Sequence, residues 1–196
     1  MKWIFVGLGN PGEEYVKTRH NTGRIVLEDI RVVENFSEWE KNKTYDALVS
    51  TGEIEDREVI LLQPETFMNS SGRSVMKVVK SKKAREQSVV IYDDIDLPIG
   101  TWKISYNRSS GGHNGVESIA TTLQSKEFAR IRIGIAPVSG VGVIVKPYGD
   151  DAVAKFVLGK FREEELDLIH KQSSEILSAL HTLIKDGLER AMNKYN

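Results

Sequence analysis

GLGNPG, Gly7 to Gly12 within the opening MKWIFVGLGNPGEEYVKTRHNTG (residues 1–23), decides how this chain is read. The hexapeptide satisfies G-x-G-x-x-G and follows an apolar run, Trp3 to Val6, that reads as a buried strand. A dinucleotide would sit on such a turn where the glycines run straight into a long helix whose N-terminus holds the pyrophosphate. Here Pro11 follows Asn10, Glu13 and Glu14 follow Gly12, and helical periodicity begins only after Asn21. Two carboxylates facing a pyrophosphate are electrostatically wrong. The glycines make better sense as a tight loop that presents Asn10 and returns the chain to His20, so no cofactor is expected.

Outward from that loop, short apolar runs alternate with helical patterns. Trp3–Gly7, Ala47–Ser50, Val59–Gln63, Val89–Tyr92, Thr101–Ser105 and Arg130–Ile135 read as strands, several of them continuous Val/Ile/Leu runs. Val26, Leu27, Ile30 and Val33 mark one helix; Phe67, Ser71, Val75 and Val78 a second; Val116, Ile119, Ala120 and Leu123 a third. A long last helix is expected from Leu166 to Leu188, and a mobile loop over Pro137–Asp150, rich in Gly and Val. The expected fold is α/β: residues 1–196 as a single domain, with a central, mixed, twisted sheet flanked by helices on both faces. The chain has 196 residues, 40% hydrophobic and 28% charged, so it can bury a core without disulfides or metals. It has no cysteine, which excludes thiol catalysis and Cys-based zinc sites. The apolar start is too short for a signal peptide or a membrane span, and we read the protein as cytoplasmic. A formal charge of −1 advertises no global basic field, which leaves a local basic patch as the route to any nucleic acid.

The loop ends carry the chemistry. His20 reads as a helix cap or as a base; Asn10 as a turn former or a substrate contact. Asn69 in PETFMNSSG, His113 and Asn114 in SSGGHNG, and Asp93 in IYDDIDLPIG each have an equally plain structural reading. Together they suit ester hydrolysis, which needs a base to activate water and donors for the developing oxyanion. A histidine is a suitable base, a carboxylate behind it fixes its tautomer, and asparagine amides donate or accept. No G-x-S-x-G elbow is present, so direct attack by water is the simpler proposal. Asp93, Asp94 and Asp96 could instead hold Mg²⁺, but that leaves His20 and the amides idle.

GLGNPGEEYVKTRHNTG, QPETFMNSSG, DDIDLPIGTWK, SSGGHNG, FARIRIGI and FVLGKF, in this order and spacing, resemble bacterial peptidyl-tRNA hydrolase over nearly the whole chain. The resemblance implies a monomeric, cytoplasmic, metal-independent esterase that frees tRNA from peptidyl-tRNA lost by ribosomes, with no obligate protein partner and no membrane. By position it implies His20 as general base, Asp93 as the carboxylate behind it, and Asn10 as the residue that separates blocked from free aminoacyl-tRNA. It implies Asn69 and Asn114 as substrate amides, Tyr15, Phe67 and Met68 as lining, and Lys103 and Arg132 as grips on tRNA phosphate, with Arg108 and Arg130 as possible additions. Ser105 and Glu117 stand where the family is often basic, and VSGVGVIVKPYGDD departs from its usual loop. Some relatives are RNA-binding splicing factors without hydrolase activity, the alternative reading.

Overall fold

The computed structural model describes residues 2–140 and 142–196. Its strands are β1 (Trp3–Gly7), β2 (Glu40–Asn42), β3 (Ala47–Ile54), β4 (Arg57–Pro64), β5 (Ser88–Pro98), β6 (Trp102–Tyr106) and β7 (Ala129–Ala136). They form one sheet in the order β2-β3-β4-β1-β5-β7-β6. The central strands β4, β1, β5 and β7 run parallel; β3 on one side and β6 on the other run against them, and β2 pairs antiparallel with β3 at the edge. Parallel strands need cover on both faces, and alternate side chains supply it. Phe5, Leu61, Ile91, Ile131 and Ile133 join the layer of α1 (Thr22–Val33) and α6 (Glu163–Asp186). Ile4, Val6, Leu62, Val90 and Tyr92 join the layer of α2 (Ser71–Val78) and, beyond α3 (Lys82–Glu86), α4 (Asn114–Leu123). Each large apolar side chain so buried contributes roughly 1.5–3 kcal/mol.

The GLGNPG question is answered at the end of β1. Single helical turns at Glu13–Tyr15 and Arg19–Asn21 intervene before α1 begins at Thr22. The start of α1 then lies directly on the strand ends: a Cβ at Gly7 would stand 2.5 Å from the Gly23 carbonyl, and one at Gly23 would run into Ile91 and Leu8 backbone. The close approach that a dinucleotide turn leaves for pyrophosphate is filled here by the chain's own helix.

Several elements differ from the sequence reading: β3 runs on from Ser50 to Ile54, and Phe67, read as the first residue of the second helix, lies ahead of α2. β5 does not stop at Tyr92 but continues to Pro98, with its register against β7 shifting between Asp94 and Pro98. The last helix does not reach Leu188: Gly187, at φ 92°, ends α6, and α7 (Leu188–Tyr195) follows. Leu188, Ala191 and Met192 pack on the same core as α6, so the apolar spacing runs through the break. Within the expected loop, Val138 and Ile144 form an isolated bridge, and α5 (Asp150–Val157) begins at its last residue. The short β2, α3 and α5 lacked apolar periodicity. Among the described residues, no helix is long and apolar enough to cross a membrane.

Candidate active site

Segments that follow β1, β4 and β6 meet beside Asp93 of β5, the kind of place where sites form in an open α/β sheet. His20 sits on the turn Arg19–Asn21, and that turn is braced from outside. Its Arg19 N–H donates to the Gly159 carbonyl at 3.0 Å. The Arg19 guanidinium pairs with Glu165 at 3.0 Å and stands over Phe156, 4.6 Å from the ring centroid. His20 therefore does not cap α1. Its Nδ1 meets both oxygens of Asp93, at 3.0 and 2.9 Å. Asp93 is 1% exposed.

A second histidine completes the arrangement. His113 caps α4: the Gly115 and Val116 N–H groups donate to its Nδ1, at 3.2 and 3.3 Å. An Nδ1 that accepts has no proton, so the ring carries its proton on Nε2. That Nε2–H donates to Asp93 Oδ1 at 3.1 Å. The two imidazoles lie 4.9 Å apart, and the Tyr92 ring meets His113 edge-on at 4.8 Å. His20, Asp93, His113 and the loop Ser110–Gly112 line a recess of about 60 Å³. The sequence placed His113 among the loop-end candidates without giving it a role of its own; its bond to Asp93 spans twenty residues and leaves no local signature.

Burial alone lowers the His20 pKa, but the charge and hydrogen bond of Asp93 overcome it and leave it above the ordinary histidine value. Burial alone raises the Asp93 pKa; the two imidazoles reverse that and hold it well below the usual carboxylate range. Asp93 is thus an anion that receives Nδ1–H of His20, which leaves Nε2 of the neutral ring as a base.

Asn10 is buried, and its orientation is set by its partners. The Met68 N–H donates to Asn10 Oδ1 at 2.8 Å, so the free end is Nδ2. Asn21, which the sequence reading missed, holds the Asn10 backbone from both sides: its Oδ1 accepts from the Asn10 N–H at 2.9 Å and its Nδ2 donates to the Asn10 carbonyl at 3.0 Å. The Met68 side chain corrects an expectation. It is buried in the α2–α4 core, so what it offers the site is a backbone N–H. Phe67, beside it, is 62% exposed, and Tyr15 is half-buried. Asn69 is exposed on the turn Met68–Ser70, which packs against α4, and Asn114 is the exposed first residue of α4.

The basic candidates divide. Lys103 is exposed on β6, directly across from Arg132 on β7. Arg132 donates from Nε to Asp94 at 2.6 Å. Arg108 is exposed in the loop after β6. Arg130 is a correction: it is wholly buried, with its guanidinium bound to the carbonyls of Arg108 and Ser109, and no phosphate reaches it. Ser105 is buried opposite Arg130. The three aspartates do not converge either. Asp93 faces the histidines, Asp94 faces Arg132, and Asp96 faces Lys146. His20, Asp93 and His113 have ligand atoms close enough for a metal. The nitrogens that face Asp93, however, carry its protons: His113 Nε2 cannot lose its proton while Nδ1 accepts from two N–H groups. The donor set fits a proton network better than a cation.

Residues 4–196 match the family model described as peptidyl-tRNA hydrolase. A peptidyl-tRNA hydrolase of Thermodesulfovibrio yellowstonii is 39% identical over 196 residues, covering 98% of each chain. One of Alkaliphilus oremlandii is 42% identical over 195 residues, again 98% of each. The crystal structure of peptidyl-tRNA hydrolase from Acinetobacter baumannii superposes with a TM-score of 0.87 at 31% identity, covering 99% of this chain and 94% of that one.

Proposed function

This chain belongs to the peptidyl-tRNA hydrolase family, and on that premise we propose that it hydrolyses the ester between a peptide, or an N-blocked amino acid, and the 3′ ribose of tRNA. The observation that carries this reading is the buried His20–Asp93 pair opening onto a recess at the strand ends. Neutral His20 accepts a proton from water at Nε2 as the water oxygen attacks the ester carbonyl. Asp93 stabilises the imidazolium that forms. The exposed amides of Asn69 and Asn114 are the donors within this set for the oxyanion and the substrate backbone. Collapse of the tetrahedral intermediate breaks the bond to the ribose oxygen, which takes the proton from His20. The products are a free 3′ hydroxyl on tRNA and a peptide carboxylic acid, which releases its proton to water at neutral pH.

Asn10 supplies the discrimination. With Oδ1 occupied by Met68, it presents an N–H donor. A peptide carbonyl accepts from that donor; the α-ammonium of free aminoacyl-tRNA meets donor with donor and is rejected. Lys103, Arg108 and Arg132 form the candidate grip on tRNA phosphate.

The test is incubation with an N-acetylaminoacyl-tRNA, with and without EDTA. Cleavage that EDTA leaves unchanged is the expected result. Abolition by EDTA would overturn the water-and-histidine mechanism, and tRNA binding without cleavage would favour an inert RNA-binding relative.

A further inference from the structure

Arg130 is a cation at no measurable exposure, and among the described residues it has no carboxylate partner. Its guanidinium stands over Phe128, 4.5 Å from the ring centroid. Nη1 donates to the Ser109 carbonyl at 2.9 Å and Nη2 to the Arg108 carbonyl at 2.8 Å. Its Nε is buried without a hydrogen bond. Removing a guanidinium from water without an anion is costly, and the buried neighbours on its own side of the sheet, Val90 across on β5 and Phe128, are apolar. The position therefore has a demand that an apolar residue would not meet.

That demand is the loop between β6 and α4. It buries no apolar side chain, and Asn107, Gly111 and Gly112 adopt φ of 50°, 62° and 82°. Glycine enters such backbone freely and Asn tolerates it, so neither a core of its own nor its local preference fixes this loop in one conformation. The Arg130 fork supplies two parallel, charge-assisted hydrogen bonds at the loop's centre. Four residues on from Ser109 stands His113, bound to Asp93.

We propose that Arg130 is a positioning residue for the reaction: its fork splints the loop Asn107–Gly112 and so holds His113, and through it Asp93, in the orientation that His20 uses. This rests on the reaction proposed at His20. Arg130 acts from behind the loop and touches no substrate. The planar fork spans two carbonyls at once, which a lysine ammonium does with poorer geometry.

The experiment compares wild type with Arg130→Met and Arg130→Lys on two substrates: an N-acetylaminoacyl-tRNA, and a 3′-N-acetylaminoacyl ester of adenosine that lacks the tRNA body. In parallel, ¹⁵N-histidine NMR follows the His113 Nε2–H signal. Misplacing a catalytic group by about 1 Å costs about 100-fold. Arg130→Met is therefore expected to lower kcat by about 10- to 100-fold on both substrates with KM little changed, and to lose the His113 signal to fast exchange. Arg130→Lys should fall between. Wild-type kcat and an intact His113 signal in folded Arg130→Met overturn the proposal. So does a loss confined to the tRNA substrate and expressed in KM, which would make Arg130 a phosphate contact. If Arg130→Met does not fold, Arg130→Lys decides by the same split. If wild type cleaves neither substrate, the reaction reading has failed, and the His113 signal still reports whether the splint exists.

Discussion

His20 and Asp93 meet at 2.9 Å, and His170 and Asp29 meet at 2.8 Å. Both pairs use Nδ1, and both aspartates have a further partner, His113 for Asp93 and the Ser173 hydroxyl for Asp29. The surroundings separate them. The side chains of His20 and Asp93 are 11% and 1% exposed; those of His170 and Asp29 are 50% and 24%. The first pair ties the turn Arg19–Asn21 to the interior of β5, and the second links α6 to α1. In water a close histidine–carboxylate contact is screened and worth about 0–1 kcal/mol. Out of water the same contact sets a tautomer and a basicity. Contact distance alone does not make a base.

The largest expected effect breaks the comparison outright. His20→Ala should lower kcat on N-acetylaminoacyl-tRNA by about 10²–10⁴-fold, the usual worth of a general base. His170→Ala should leave kcat near wild type and change stability by about 1 kcal/mol or less, measured by urea denaturation. Comparable losses from both substitutions would remove burial as the distinguishing feature.

The pH dependence sharpens it. Protonated His20 cannot accept from water, so kcat/KM should rise with pH along a limb placed above the ordinary histidine value of about 6.5. In Asp93→Asn the burial remains while the opposing charge is gone. The limb should then move to lower pH, and the plateau should fall because the amide no longer fixes the tautomer. Asp29→Asn should do neither. Stability moves the other way. The raised His20 pKa contributes stability that is full below about pH 6.5 and lost as pH rises through the folded value; the lowered Asp93 pKa contributes stability that is full above about pH 3.9 and lost as pH falls through its folded value. Between those limits the pair stabilises most while the base is protonated. An Asp93→Asn limb unmoved from wild type would sever the link between the carboxylate and the base.

How much of this was legible follows from range. The central strands were readable because continuous Val/Ile runs are what burial on both faces demands, as in Val89–Ile91 and Ile131–Ile135. His20 and Asp93 stood out as polar residues at loop ends, though β5 carries Asp93 inside the strand instead of beyond it. The bond from Asp93 to His113 was not readable, because β6 and a left-handed loop lie between them. RIRIGI shows the limit most clearly. Arg130 and Arg132 are two apart on one strand and so share a face, yet a loop covers one and leaves the other at the edge of solvent. Periodicity reports the face and not what lies over it. At Gly187 the failure is similar: the apolar spacing continues because α6 and α7 serve the same core, and only the positive φ of 92° records the bend.

A third, smaller effect concerns the amide. Asn10→Asp keeps an acceptor for the Met68 N–H and replaces the free donor with a carboxylate oxygen. An α-ammonium then finds an acceptor, and the preference for blocked over free aminoacyl-tRNA should narrow by about tenfold or more, as expected when a buried charge gains a partner. The ratio of kcat/KM for the two substrates, before and after the change, measures it; an unchanged ratio takes Asn10 out of this role.

The smallest expected effect is at the phosphate grip, where the protein's own carboxylates compete with the ligand. Arg132 already holds Asp94 at 2.6 Å. A phosphate that binds Arg132 must share it with Asp94, so the site should release few counterions for its number of cations. Log K falls with log salt at a slope of about −0.7 to −0.9 per phosphate neutralised. Wild type should therefore show a shallow slope, and Arg132→Ala should weaken binding for all tRNAs alike and reduce the slope by about one unit. Asp94→Asn supplies the opposite sign: with its competitor neutralised, Arg132 should bind tRNA more tightly at low salt, and the slope should steepen. Measuring both in a His20→Ala background separates binding from turnover. If Asp94→Asn weakened binding instead, Asp94 would be orienting Arg132 for its phosphate, and the pair would belong with His20–Asp93 as a positioning contact, despite side chains still 15% and 12% exposed.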